Sequence, residues 1–245
     1  MQKVYDFKSS KTGKMTVKEK IVWLTDIVKQ FPVGNGFFTA LNMINLTIEQ
    51  GEFMGLVGPS GSGKTTLLNI IGSLDTPTKG EAMVMGHSVS ALTAKESAAL
   101  RNRNIGFIFQ SYNLLPVHTV YENVEFPLLL QKRSAGERKR AVMDALEWVG
   151  LTDKAKSRPA QLSGGESQRV AIARAMVKRP EIVLADEPSA NLDANNSHTI
   201  LKTMRQLNEE LKTTFIFATH DEKVMQYLKR IITLDDGSIS NDEII

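Results

Sequence analysis

GPSGSGKTT, Gly58 to Thr66, is the stretch that decides how this chain is read. Residues 58–65 fit G-x-x-x-x-G-K-[ST], the pattern of a phosphate-binding loop. Glycines at 58, 61 and 63 let backbone N–H groups curl around an anion with no side chain in the way. The apolar run FMGLVG (53–58) ahead of the loop predicts a buried strand, and KTTLLNIIGSL behind it predicts a helix. The positive end of that helix dipole then adds to the anion site. In this reading Gly58, Ser60, Gly61, Ser62 and Gly63 form the cradle, and Lys64 reaches the β- and γ-phosphates of a nucleotide. The Thr65 hydroxyl ligates Mg²⁺, and Thr66 adds a phosphate hydrogen bond.

Outward from the loop, strand and helix patterns alternate. IVWLTDIV and LNMINLTI, from Ile21 onward, read as strands with alternating apolar residues. NIGFIFQ (104–110), EIVLAD (181–186), TTFIFAT (213–219) and RIITLDD (230–236) read as buried strands. Helices are expected over YENVEFPLLLQ, ERKRAVMDALEWVG and ESQRVAIARAMVKR, and after EIVLAD and TTFIFAT. Such alternation predicts an α/β domain with a parallel sheet covered on both faces. Residues 111–160 read as a helical subdomain inserted into it, and ITLDDGSIS as a hairpin at the sheet edge. The first 20 residues, rich in lysine and polar side chains, read as an arm ahead of a domain spanning 21–245.

Composition narrows the classes. Lys and Arg number 30 against 27 Asp and Glu, a net charge of +3 with no clustered basic face expected, so a nucleic-acid partner is not indicated. With no cysteine, disulfides, thiol catalysis and cysteine metal sites are excluded. No stretch approaches the roughly 18 apolar residues of a membrane span, and the N-terminus has no apolar signal core. The expectation is a cytoplasmic protein.

A phosphate loop needs an acidic partner on a neighbouring strand. EIVLADE supplies Asp186 as a magnesium residue and Glu187 as a general base for the attacking water. LSGGE (162–166) opens a helix. Ser163-x-x-Glu166 is a capping box, while Gly164 and Gly165 beside it could build a second nest of N–H groups facing a phosphate.

With these residues the chain resembles the ATP-binding cassette (ABC) ATPases. GPSGSGKTT is similar to their Walker A, IVLADE to their Walker B and LSGGE to their signature; Gln110 matches the Q-loop, SANLD (189–193) the D-loop and His220 the switch histidine. The resemblance implies a P-loop NTPase fold with a RecA-like parallel-sheet core, an N-terminal antiparallel β subdomain and the inserted helical subdomain. It implies a homodimer with two ATP molecules sandwiched between the P-loop of one subunit and Ser163, Gly164, Gly165 and Glu166 of the other. Asp193 would cross that interface, His220 would contact the γ-phosphate, and Gln110 would ligate Mg²⁺. Phe31 matches the aromatic residue on which adenine stacks, commonly a tyrosine. SAN stands where TGN is commoner.

The finer resemblance is to the lipoprotein-releasing and macrolide-exporter (LolD/MacB-type) branch. NIIGSLDTPTKGE, RNRNIGFIFQSYNLLPVHTVYENVEFPLLL, LADEPSANLDANNS and the upstream PVGNGFFTAL carry it. It implies an ATPase at the inner face of the cell membrane, powering export or extraction of lipoprotein-like or amphipathic cargo through separate integral membrane subunits. The alternative is an FtsE-type regulatory switch that controls a membrane partner without transport. A coupling helix of the membrane subunit would dock near Tyr112, Asn113, Leu114 and Leu115, unless NLLPV is simply packed inside the domain. The basic run KRSAGERKR (132–140) reads as a solvated face, or as a contact with anionic lipid or a partner.

Overall fold

The structure, a computed structural model, describes residues 19–245. The arm expected at residues 1–20 falls almost wholly outside them. Two sheets organise the chain. β1 (Lys20–Val33) and β2 (Gly36–Glu49) form a long antiparallel hairpin, turning at Gly34, whose φ of +57° suits glycine. β4 (Lys79–Val84) and β5 (His87–Ser88) complete a four-stranded sheet in the order β2-β1-β4-β5.

The second sheet has six strands: β3 (Phe53–Val57), β6 (Ile105–Ile108), β7 (Ile182–Asp186), β8 (Thr214–Thr219), β9 (Arg230–Asp235) and β10 (Ser238–Ile244). Their order is β10-β9-β3-β8-β7-β6, and all pairings are parallel except the β9–β10 edge hairpin. The expected parallel core and hairpin edge are both present.

Its strands are buried on both faces, and the side chains sort by parity. Phe53, Val183, Ala185, Phe215 and Phe217 pack on one side with α3 (Val120–Leu130), α4 (Ala135–Trp148), α5 (Gly164–Met176) and α6 (Ala194–Leu211). Met54, Leu56, Ile182, Leu184, Ile216 and Ala218 pack on the other with α1 (Lys64–Ile71) and the four-stranded sheet. The helical subdomain thus holds α3 and α4 and shares one core with α5 and the sheet. Its first residues, 111–119, are not helical.

Residues 79–104 hold β4, β5 and α2 (Ala94–Asn104), which the sequence patterns above do not indicate. Only Leu100 of α2 is buried, so no apolar stripe marks it. Its one local signal is the capping box Thr93-x-x-Glu96. No helix among the described residues is long and apolar enough to cross a membrane.

Phe217 is fully buried, with its ring 4.8 Å from that of Phe53 and 6.2 Å from that of Phe215. Phe217→Ala is expected to cost about 3–5 kcal/mol. Urea unfolding would show it as a lower midpoint, and an unchanged midpoint would contradict the packing described.

Candidate functional site

A cleft of about 450 Å³ opens where the two sheets meet at the C-terminal ends of β3, β7 and β8. Ser60, Gly61, Gly63, Lys64, Thr65, Thr66, Gln110, Asp186, Glu187 and His220 line it, with Phe31 from the β hairpin. The two sheets together thereby gather residues up to 189 positions apart in sequence (Phe31 to His220).

The loop is held from both sides. A Cβ on Gly58 (φ +148°) would run into the Leu234 carbonyl of β9, and one on Gly63 (φ +99°) would lie 2.6 Å from the Ala40 carbonyl of β2. Gly58 and Ser62 sit beneath the cradle, outside the cleft lining. α1 starts at Lys64 with no side-chain cap and no acid in its first turn. By contrast α2, α3, α4, α5, α6 and the short α7 (Glu222–Met225) are capped by Thr93, Thr119, Ser134, Ser163, Asp193 and Asp221. The amides of α1 are therefore open to an anion. The Ser62 hydroxyl, buried in this turn, also has no hydrogen-bond partner.

Lys64 folds over the loop, its Nζ donating to the carbonyls of Gly58 (2.7 Å) and Pro59 (2.8 Å). Burial lowers its pKa, against the pull of nearby Glu187 and Asp186. The Thr65 hydroxyl donates to Asp186 Oδ2 at 3.1 Å. Burial raises the Asp186 carboxyl, with Glu187 adding to the rise and Thr65 and Lys64 opposing it. Glu187 has φ of +47° just past β7. Its Oε1 lies 2.6 Å from His220 Nδ1, and its Oε2 accepts from the Thr219 hydroxyl at 3.1 Å.

The remaining candidates lie outside this cleft. Ser163 and Glu166 form the expected capping box, Ser163 N–H donating to Glu166 (2.8 Å) and Glu166 N–H to Ser163 (3.2 Å). The backbone hydrogen bond from Ser163 lowers the Glu166 pKa. Gly164 and Gly165 are ordinary first residues of α5, with no positive φ, so the nest is the helix start itself. Gly165 is further explained by packing, because a Cβ there would strike the Asn196 side chain. Asp193 is spent on capping α6 through Asn196 N–H (2.9 Å), the bond that lowers its pKa. In the SAN segment, Ser189 donates to Asp221 (2.9 Å), Ala190 lines the cleft, and Asn191 Nδ2 donates to the Gln110 carbonyl (3.0 Å).

A groove near Gln110 is lined by Phe107, Phe109, Asn113, Phe126, Arg174 and Lys178. Of the docking segment expected at 112–115, Asn113 lies there. Leu114 packs on the core, and Leu115 is tied through its backbone to the Asn123 side chain. Within NLLPV, Leu114 and Leu115 are thus partly packed into the domain, whereas Asn113, Pro116 and Val117 are exposed. Burial holds Lys178 down at about 8.

Phe38, Ala40, Ala190 and Thr219 belong to the site without having been singled out in the sequence. Phe38 stands directly opposite Phe31 in the hairpin, a pairing that only the strand register reveals.

The ABC transporter family pattern matches residues 41–190. The chain belongs to the ABC transporter family. It is 42% identical over 227 residues to the lipoprotein-releasing system ATP-binding protein LolD of Pseudoalteromonas translucida, covering 93% of this chain and 98% of that one. It is also 42% identical over 226 residues to the macrolide export ATP-binding/permease protein MacB of Burkholderia thailandensis, covering 92% of this chain but 34% of that longer protein. A dimeric post-hydrolysis structure of the cassette MJ0796 of Methanocaldococcus jannaschii, bound to ADP and Pi, matches with a TM-score of 0.84. That match has 42% identity and covers 91% of this chain and 98% of that one. The protein is thus an ABC ATPase of the LolD/MacB branch, the ATP-binding subunit of a transporter, using ATP with Mg²⁺. Its residues fit both: an uncapped helix start for phosphate, and hydroxyl and carboxylate oxygens at Thr65 and Asp186 for a hard cation.

Because the folded state holds the Asp186 proton more tightly than the unfolded chain, the ionised carboxylate costs stability. Stability therefore falls as pH rises from the unfolded to the folded pKa. Asp186→Asn is expected to raise the nucleotide-free Tm at pH 7 while weakening Mg²⁺-dependent nucleotide binding. A thermal melt without nucleotide checks the sign, and a lower Tm would refute the charge argument.

Proposed function

We propose that residues 21–245 form one ATP-hydrolysing motor domain that drives extraction or export of lipoprotein-like or amphipathic cargo through separate membrane subunits. The observation carrying the chemistry is the meeting of Thr65 with Asp186, and of Glu187 with His220 and Thr219, in one cleft below an uncapped helix. The α1 amides and Lys64 hold the ATP phosphates. Thr65, Gln110 and Asp186 would hold Mg²⁺, their hydroxyl, amide and carboxylate oxygens suiting a hard cation. Bound there, the metal offsets phosphate charge during transfer. Glu187 Oε takes the proton from the attacking water as that water's oxygen bonds the γ-phosphorus and the bond to ADP breaks. Thr219 and His220 fix the carboxylate, and His220 reaches the γ-phosphate.

Ser163, Gly164, Gly165, Glu166 and Asp193 lie outside the cleft of their own subunit. We assign them to the ATP bound by a second copy, in a head-to-tail homodimer that closes on two nucleotides. The dimeric state named for the MJ0796 structure supports this. Similarity to LolD and MacB supports the cargo class, and an inner-face location at the cell membrane goes with that role.

Glu187→Gln is expected to keep ATP binding, lose about 10²–10⁴-fold in turnover and accumulate as an ATP-dependent dimer by gel filtration. Rapid hydrolysis would overturn Glu187 as base. Lys64→Ala should weaken ATP binding itself in an equilibrium titration. For the partners, tagged Glu187→Gln would be pulled down from membranes solubilised with ATP-Mg²⁺. Recovery of a membrane protein with a large extracytoplasmic domain supports extraction, and a hydrolase in the same complex supports a regulatory switch instead.

A further inference from the structure

The cleft has a polar phosphate end and an apolar end. The apolar end comes from the β hairpin, whose contributions to the lining are Phe31, Phe38 and Ala40, none with a side-chain donor or acceptor. Phe31 and Phe38 are directly opposed in the β1–β2 register. Directly opposed side chains leave the same face of a sheet, about 5 Å apart at Cβ. Phe31 is 37% exposed and Phe38 52%, whereas Phe53, Phe215 and Phe217 of the core are almost wholly buried. Two large apolar rings left uncovered beside one cleft are a binding feature unless something else explains them.

Phe31 is fixed from one side. Lys29 Nζ lies 5.0 Å over its ring and is itself anchored by Asp75 (2.5 Å) and the Thr76 carbonyl (2.9 Å). Nothing of this kind occupies Phe38. Its neighbour Phe37, 74% exposed, is paired with Pro32, so the alternation of the strand sends it to the opposite face, away from the cleft.

We propose that Phe38 is a second nucleobase-binding residue, forming with Phe31 an aromatic rim that grips the base by its face rather than by its edge. This rests on the cleft being the nucleotide site. Face contact rewards ring area and is indifferent to exocyclic groups, so the rim takes either purine.

Equilibrium binding with Mg²⁺ to the full chain tests this, using ATP, GTP and inorganic tripolyphosphate as probes. Phe38→Ala should weaken ATP and GTP about tenfold while leaving tripolyphosphate unchanged. Phe38→Trp should retain ATP binding, Phe37→Ala should behave as wild type, and wild type should hold ATP and GTP within about threefold of each other. The proposal is overturned if Phe38→Ala binds ATP like wild type while Lys64→Ala is impaired. It is equally overturned if Phe38→Ala weakens tripolyphosphate as much as ATP. If wild type binds neither ATP nor tripolyphosphate, the nucleotide-site reading fails and takes the rim with it.

Discussion

The open N-terminus of α1 is the constraint on which the site depends. Each other α-helix among the described residues satisfies its first amides with its own side chain, whereas α1 begins at a glycine that cannot. Leaving those amides unpaired costs stability until an anion arrives. The architecture holds them in place regardless. β3 is hydrogen-bonded to β8 on one side and β9 on the other, so the strand entering the loop is fixed. The β9–β10 turn then acts as a strut, with Gly237 N–H donating to the Ser62 carbonyl (3.2 Å) and the Gly237 carbonyl accepting from Asn42 N–H (2.8 Å). One turn thus ties the loop to both sheets, which gives the edge hairpin a purpose beyond ending the sheet.

The same logic covers the charges. Burial pushes Asp186 up and Lys64 down, each against its charged form. A bound phosphate would favour the charged form of Lys64, and a bound divalent cation that of Asp186, beyond what their mutual attraction supplies. The site is arranged for the loaded state and strained in the empty one, so its electrostatic cost is recovered only on binding. Glu187, in a left-handed backbone conformation, belongs to the same pattern of local strain at a functional position.

Much of this was legible because the informative residues announce themselves locally. Glycines in a phosphate-loop pattern, and acids ending an apolar run, carry their physics within a few positions. Buried strands such as Phe215–Ala218 read clearly because both faces are apolar. α2 was illegible because it buries one residue and so has no periodicity to detect. Phe38 was missed because its partner lies across a hairpin, and register is a property of two strands together. The two signature glycines are ordinary first residues of α5, so any N–H nest there is the helix start itself. The reason Gly165 must be glycine, the Asn196 side chain, comes from the next helix, 31 positions away.

Hydrogen bonds and packing contacts connect the cleft to the groove. Gln110 lines the cleft, and Asn113, three residues on, lines the groove. Arg174 of α5 grips the loop between them, donating to the carbonyls of Asn113 (2.5 Å) and Tyr112 (2.6 Å), both at residues with positive φ. The N-terminal end of that same helix carries Gly164 close to the Tyr112 hydroxyl, and Gly165 against Asn196, which also holds Asp193. Asn191, two residues before Asp193, holds the Gln110 carbonyl. A displacement of Gln110 is therefore resisted from two directions, by α5 and by the segment leading into α6. Both directions lead to residues assigned to the second subunit's nucleotide. Loop 110–113 is thus in direct contact with the cleft, the groove and the segments assigned to the dimer face, which makes it a physical link among the three on which the proposed motor would have to act.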